Sequence, residues 1–126
     1  MPNQQQIDLL KQGVDAWNTW RQEHPEVELD MNEADLSNIN LSGANLSRVN
    51  LSGADVSGAN FRGADLSDAD LSKASLIGTD LREADLSRAN LSDADLTGTF
   101  LGEANLRATI ITPEQLKKAR SPDDVP

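Results

Sequence analysis

The chain has 126 residues, enough for one domain, and no cysteine, which excludes a disulfide framework and thiolate metal sites. Apolar residues make up 37% but aromatic residues only 3%, which suits neither a disordered chain nor an ordinary globular core. A net charge of −10 argues against direct nucleic-acid binding, and the absence of a long apolar run or signal-peptide pattern predicts a cytoplasmic protein without membrane contact.

The first predicted element is an α-helix over residues 4–23. Gly13 lies inside this segment and weakens the helix by about 1 kcal/mol, and Pro25 helps to end it. Helical spacing places the apolar residues of the segment on one stripe, which has to pack against the rest of the chain. The stripe consists of Ile7, Leu10, Val14, Trp17 and Trp20.

An uninterrupted five-residue repeat follows, from Ala34 to Ala108. It contains fifteen units of the form Ala-(Asp/Asn)-Leu-Ser-X, and the central residue is Leu in thirteen of them; the exceptions are Val56 and Phe61. The first residue of the unit is Ala in eleven units. The second residue is Asp or Asn in thirteen units, and the two exceptions are Ser75 and Phe100. A period of five fits neither a helix nor one straight strand, so the chain has to turn once per unit.

The turn belongs at the end of each unit. Six of the eight glycines occupy the last position, where a tight turn requires a positive φ. Ala and Leu lie two residues apart and share the inner face of a short extended piece, while the Asp or Asn between them points outward. Repeated turning in one sense predicts a solenoid with Leu inside, Ala filling the narrow space beside it, and no interior channel for a substrate.

A second, shorter helix is predicted after the repeats. Residues 112–115 read Thr-Pro-Glu-Gln, a capping box with Pro at the first helical position. In such a helix Leu116 and Ala119 would face the last coil, and Lys117 and Lys118 would lie at its C-terminus. The tail over residues 121–126 is expected to fray.

The repeat resembles the pentapeptide repeat family closely over residues 34–108, and more loosely over 29–111, with Met31 and Ile111 as terminal centres. The segments Trp17–Arg21 and Thr112–Leu116 resemble those of cyanobacterial members. The resemblance implies an all-β solenoid: a right-handed, quadrilateral β-helix of four units per coil and about four coils. We therefore expect an N-terminal helical cap over 1–28, the β-helix over 29–111, and a C-terminal helix and tail over 112–126.

With four units per coil, residues 20 apart stack, and the outward side chains sort into four faces. One face, centred on Leu36, Val56, Leu76 and Leu96, has three acidic residues and no base; we name it the acidic face. Its predicted interaction residues are Asp35, Asp55, Ile77 and Asp95, beside Gly58, Gly78 and Gly98. Alternatively, Asp is simply the preferred residue of the repeat and Ile77 is one stray apolar side chain.

The sequence offers no convergent chemistry for an enzyme. The serines are explained by turns, and the only histidine, His24, has no recognisable partner. Stacked carboxylates such as those of Asp65 and Asp85 could hold Ca²⁺, but they are better explained by bonds to nearby turn amides, so no metal or cofactor is predicted. Phe100, which breaks the Asp/Asn rule, is expected to pack beneath the C-terminal helix rather than meet a partner.

Two functional hypotheses remain. The first is a non-enzymatic structural or interaction module that presents a flat solenoid face to an unidentified protein partner. The second comes from the resemblance, since some members of the family imitate duplex DNA and protect or inhibit type II topoisomerases. Arginines in the repeats and an excess of acids outside them weigh against imitation of DNA. Two capped ends favour a monomer.

Overall fold

The repeats of this chain wind into a stack of coils in a computed structural model that describes residues 2–120. Thirteen parallel β-bridges each join residues 20 apart, from Asp30↔Asn50 to Asn90↔Ile110. Four five-residue units therefore complete one coil, as the family resemblance implies. We name the four faces by their bridged positions: face A (30, 50, 70, 90, 110), the acidic face (35, 55, 75, 95), face C (40, 60, 80, 100) and face D (45, 65, 85, 105).

Each corner of the coil is a tight turn closed by a backbone hydrogen bond. The N–H of Ala44, for example, donates to the carbonyl of Leu41 at 3.1 Å. The residue before the closing N–H has a positive φ at every corner from residue 33 to residue 108, including ten that are not glycine, such as Lys73 at 61°. The coil therefore imposes the left-handed backbone conformation at each corner, whatever the residue. Glycine only lowers the energetic cost of that conformation.

The core is a column of large apolar side chains on each face. The unit centres from Leu36 to Leu96, including Val56 and Phe61, are at most 1% exposed. Burial of each Leu stabilises the fold by about 2 kcal/mol before the loss of conformational entropy is subtracted. The interior is thus filled by side chains.

Threonine replaces the inner Ala at two fully buried positions of face C. The hydroxyl of Thr79 donates to the Val56 carbonyl at 2.7 Å, and that of Thr99 donates to the Leu76 carbonyl at 2.6 Å. These bonds cross from one coil to the previous one, but they end on backbone carbonyls and not on stacked hydroxyls. A buried hydroxyl is accepted here because its hydrogen bond offsets the loss of water.

The N-terminal segment contains two helices and not the single helix that the apolar stripe predicts. Helix α1 spans Gln4–Lys11 and helix α2 spans Val14–Glu23. Gly13 separates them with a φ of 126°, which lies outside helical geometry and ends the hydrogen-bond ladder. The apolar stripe still packs as one surface on the first coil, because Ile7, Leu10 and Trp17 are all buried.

Helices α1 and α2 supply hydrogen-bond partners to the exposed edge of the first coil. The N–H of Asn3 donates to the Asp30 carbonyl on face A at 2.7 Å. On face D, the Trp17 indole donates to the Asn45 carbonyl at 2.7 Å and Arg21 donates to the Ser47 carbonyl at 3.2 Å. Trp20 lies between Trp17 and His24, with ring centroids 5.3 and 5.0 Å away, so His24 is held by stacking.

Helix α3 spans Pro113–Lys118 and begins with the capping box that the sequence predicts. The contacts with the last coil, however, come from Gln115, whose amide donates to the carbonyls of Leu91 and Ala94 at 2.6 and 3.1 Å. The prediction that Leu116 faces the coil is wrong, because Leu116 is 41% exposed. The predicted fraying of residues 121–126 lies outside the described residues.

Substitution of Gly43 by Ala tests the strain of the corner. Gly43 has a φ of 72° and no atom within 4 Å of the position that a Cβ would occupy, so backbone strain is the only cost. We expect the free energy of unfolding to fall by about 1 kcal/mol in chemical denaturation. The matched control is Gly102→Ala, a site of ordinary contacts without a positive φ, which should be neutral or slightly stabilising. Equal losses for both variants would contradict this account.

Candidate interaction face

The acidic face brings its three predicted carboxylates into one column. Parallel bridges join Asp35 to Asp55, Asp55 to Ser75 and Ser75 to Asp95, and all three aspartates are exposed. The column is interrupted only at Ser75, which leaves a site without a carboxylate between Asp55 and Asp95.

Short hydrogen bonds hold each of these carboxylates in place. Oδ1 of Asp35 accepts from the N–H and the hydroxyl of Ser37 at 3.1 and 2.7 Å, and Asp95 accepts equivalent bonds from Thr97 at 3.0 and 2.6 Å. Because these donors stabilise the ionised form, they lower the pKa of Asp35 and of Asp95. The face therefore presents fixed negative charges at neutral pH.

Ile77 lies beside the gap in the column, two residues after Ser75. Its unit, residues 74–78, departs from the repeat twice, with Ser75 in place of the carboxylate and Ile77 in place of the hydroxyl that would hold it. The Ile77 side chain is 47% exposed although its carbonyl accepts the coil-to-coil hydrogen bond from Gly58 at 2.9 Å. At the neighbouring corner, Gly78 leaves open space where a Cβ would stand. The result is an apolar projection on a flat, otherwise charged surface.

The repeat residues of this face include no base, but lysines of two helices lie beside it. Lys11, at the end of α1, lines a cleft of about 380 Å³ with Asp35, and Lys118, at the end of α3, lines one of about 260 Å³ with Asp95. Both lysines lower the pKa of the adjacent aspartate, although less than its hydrogen bonds do. Sorting the repeats alone missed these residues because they belong to helices whose placement the repeat does not determine.

Three acids of the other faces are paired with arginine. On face C, Arg82 contacts Asp80 at 2.7 Å, and Arg62 contacts Glu83 at the same distance. On face D, Arg88 contacts Asp68 at 2.9 Å. These exposed pairs add little to stability, but they reduce the negative potential on two sides of the rod.

Phe100 lies half-buried on face C between two guanidinium groups. The Arg82 guanidinium is 5.9 Å and that of Arg120 4.8 Å from the centre of the ring. The N–H of Arg120 donates to the Thr99 carbonyl at 2.8 Å, so the chain after α3 runs beside Phe100. Two guanidinium groups thus lie over the ring, one of them from the residue that follows the predicted C-terminal helix by two positions.

Neither a metal site nor a membrane-spanning helix is found in the part of the chain that the structure describes. Over residues 2–120, His, Asp and Glu side chains nowhere gather in groups of three that could hold an ion. Within the same residues no helix has the length and apolar character needed to cross a bilayer. The stacked aspartates instead accept hydrogen bonds from the turn residue two positions later, as in Asp85 with Ser87.

The bonded aspartates predict a loss of stability in acid. The hydroxyl and N–H donors lower the pKa of Asp35, Asp85 and Asp95, so the folded chain binds fewer protons than the unfolded chain once the pH falls below the ordinary aspartate range. The free energy of unfolding should therefore decrease from about pH 4 downward. Chemical denaturation between pH 7 and 2 measures this.

The Asp35→Asn, Asp85→Asn, Asp95→Asn triple variant is the matched control for acid sensitivity. Asparagine keeps the same turn bond, as the Asn90 oxygen does with the N–H of Ser92 at 2.9 Å, but it does not titrate. The variant should lose less stability than the parent over the same pH range. If the parent and the triple variant lost stability equally in acid, Asp35, Asp85 and Asp95 would not be the source of the acid sensitivity.

Comparisons with known proteins support this geometry. The family model for pentapeptide repeats matches residues 30–68 and 69–107, with 8 copies. The chain is similar to the crystal structure of Rfr23, a pentapeptide repeat protein from Cyanothece 51142, with 38% identity, 67% of this chain and 57% of that chain covered, and a TM-score of 0.66. No curated protein matches.

Two further solved structures are similar in sequence but superpose less well. The pentapeptide repeat protein alr5209 from Nostoc PCC 7120 is 37% identical over 66% of this chain and 60% of its own, with a TM-score of 0.34. HetL, a pentapeptide repeat protein involved in heterocyst differentiation regulation in Nostoc sp. strain PCC 7120, is 32% identical over 77% of this chain and 59% of its own, also with a TM-score of 0.34.

The chain thus covers less than two thirds of the length of the solved proteins it resembles. The repeat, the four-unit coil and the family match agree with one another, and the neighbours imply a right-handed quadrilateral β-helix. The chain belongs to the pentapeptide repeat family.

Proposed function

We propose that this protein is a non-enzymatic interaction module that binds a protein partner through the acidic face. In this proposal the rod has about four coils, its ends are covered in whole or in part by helices, and Ile77 is the centre of the contact. The half-exposed Ile77, beside the gap that Ser75 leaves in the carboxylate column, is the single observation that carries the proposal. Family members generally serve as structural or interaction modules, which agrees with it.

The surroundings of Ile77 define the chemistry of the partner. Asp55 lies one coil below Ser75 and Asp95 one coil above it, and stacked coils are about 4.8 Å apart, so two carboxylate positions about 10 Å apart stand beside Ile77 on the same face. A complementary surface would offer a shallow apolar pocket with lysine or arginine on both sides. Steering by the charges would speed encounter, while desolvation of Ile77 would supply affinity.

Rigidity favours such a contact. The Asp95 carboxylate is held by two hydrogen bonds and the backbone by coil-to-coil bonds such as that of Gly78 to Thr97 at 2.9 Å. A partner therefore loses little of its binding energy to ordering this surface. Lys11 and Lys118 stand at the two ends of the face and reduce the negative potential there only slightly, since each lowers the pKa of its neighbouring aspartate less than the hydrogen bonds do.

Imitation of DNA gains no support from the charges of this chain. Arginines pair with Asp80, Glu83 and Asp68, which reduces the negative charge on two of the four sides of the rod and weighs against imitation of DNA. The topoisomerase hypothesis therefore remains a prediction from the family resemblance alone.

The Asp55→Lys, Ile77→Lys double variant should abolish partner capture without unfolding the rod. Affinity capture from a lysate of the source cells, read by mass spectrometry, compares it with the parent. The matched control is Asp70→Lys, Ser92→Lys, which makes the same change in charge at the equivalent positions of face A. A protein captured by the parent and the control but not by the double variant is the expected result, and equal capture by all three would contradict the proposal.

A further inference from the structure

A cleft of about 660 Å³ lies at the N-terminal end of the rod, at the corner between faces D and A. It is lined by residues 25–30, by Arg21 of α2, and by Ser47 and Arg48 of the corner. Its volume is in the range of sites that hold a small organic molecule. The cleft is separate from the acidic face, so the partner contact proposed above does not use it.

The cleft exists because a side chain takes the place of a corner. At a regular corner the last N–H of the unit donates to the next coil, as that of Arg48 does to the Ser67 carbonyl at 2.9 Å. The residue 20 positions before Arg48 is Glu28, whose N–H makes no such bond within the described residues. Instead, Nη2 of Arg21 donates to the carbonyl and the hydroxyl of Ser47 at 3.2 and 3.0 Å.

Hydrogen bonds fix residues 25–30 beside this corner. Nη2 of Arg48 donates to the Pro25 carbonyl at 3.2 Å. The Gln6 side chain donates to the Glu28 carbonyl at 2.8 Å and accepts from the N–H of Asp30 at 3.0 Å. The cleft is therefore formed before any ligand arrives, and a ligand loses little binding energy to ordering it.

Arg21 carries a buried charge that lacks a counterion. It is only 4% exposed, yet it forms no ion pair with a carboxylate among residues 2–120. Its hydrogen bonds to those residues come from Nη2 alone, and its buried Nε has no acceptor there. Burial and the neighbouring Arg48 both lower the pKa of Arg21, against a weaker opposite effect of Asp65. Two guanidinium groups thus repel each other at one cleft, where an anion would relieve the cost.

The carboxylates of the cleft do not serve as that counterion. Glu26 and Glu28 are exposed, and neither takes part in an ion pair in the part of the chain that the structure describes. Oδ1 of Asp30 accepts from the N–H of Asn32 at 3.1 Å and from the Asn50 amide at 3.4 Å. The cleft therefore offers positive and negative groups that are not paired with one another.

We propose that this cleft binds a small zwitterion, a molecule with a carboxylate and an ammonium group such as a free amino acid. The carboxylate lies between the guanidinium groups of Arg21 and Arg48, where charge-assisted hydrogen bonds use the remaining donors. The ammonium group faces the carboxylates of Glu26 and Glu28. A dianion such as phosphate fits less well, because it would bring a second negative charge toward these glutamates.

NMR titration of the full chain tests the proposal, with the arginine Nε–H signals as the readout. The probes are L-alanine, acetate, ethylammonium and inorganic phosphate, each added at constant ionic strength in sodium chloride. The Arg21 signal should shift with alanine and reach saturation, and it should not respond to ethylammonium. Acetate should bind about threefold more weakly than alanine, because it lacks the contact with the glutamates. No saturable shift with alanine, or acetate or phosphate binding at least as tightly as alanine, would overturn the proposal.

Variants at exposed positions keep the test independent of folding. Arg48→Gln should weaken alanine binding about tenfold, because it removes one charged donor. The matched control is Arg88→Gln, at the same corner two coils farther along, which should leave alanine binding unchanged. The Glu26→Gln, Glu28→Gln double variant should weaken the binding of alanine but not of acetate. Equal weakening by both arginine variants, or unchanged alanine binding in the glutamate variant, would refute the site.

Discussion

The structure depends on one constraint. In a straight strand the Leu side chains of successive five-residue units would point to opposite sides, so the chain has to turn once per unit to keep all of them inside. It does so with a left-handed residue at each corner, and ten of these are not glycine, such as Glu83 at 63°. Each of these non-glycine residues carries a backbone strain of about 1 kcal/mol. The coil-to-coil hydrogen bonds and the buried Leu columns offset this strain and hold the conformation. Regular corners produce flat faces. A side chain that departs from the repeat, such as Ile77, therefore changes the local surface of a face that is otherwise uniform.

The sequence predicts the coil well because the repeat is a local signal. The inward Ala and Leu, the outward Asp and the turn at the last position all follow from side-chain period and turn chemistry, while four units per coil came from the family resemblance. The ends are less predictable. Gly13 splits the predicted N-terminal helix, and Gln115 takes the contacts expected of Leu116, because those details depend on which backbone groups the neighbouring coil leaves unpaired.

The candidate face was only partly predictable for the same reason. Asp35, Asp55, Ile77 and Asp95 could be assigned to one face by counting, since residues 20 apart stack. The lysines at its two ends could not, because Lys11 and Lys118 reach the face through the placement of α1 and α3. They reduce the negative potential near Asp35 and Asp95, so the potential along the column is less uniform than the repeats alone predict.

The central claim is that a protein partner docks on Ile77. Site-specific photo-crosslinking tests it most directly: a photoreactive residue is placed at position 77, and another at position 72 on face A, in a lysate of the source cells. The account predicts one specific crosslinked protein from position 77 and none from position 72. No specific crosslink from position 77, or the same crosslinks from both positions, would contradict the assignment of the acidic face as the interaction surface.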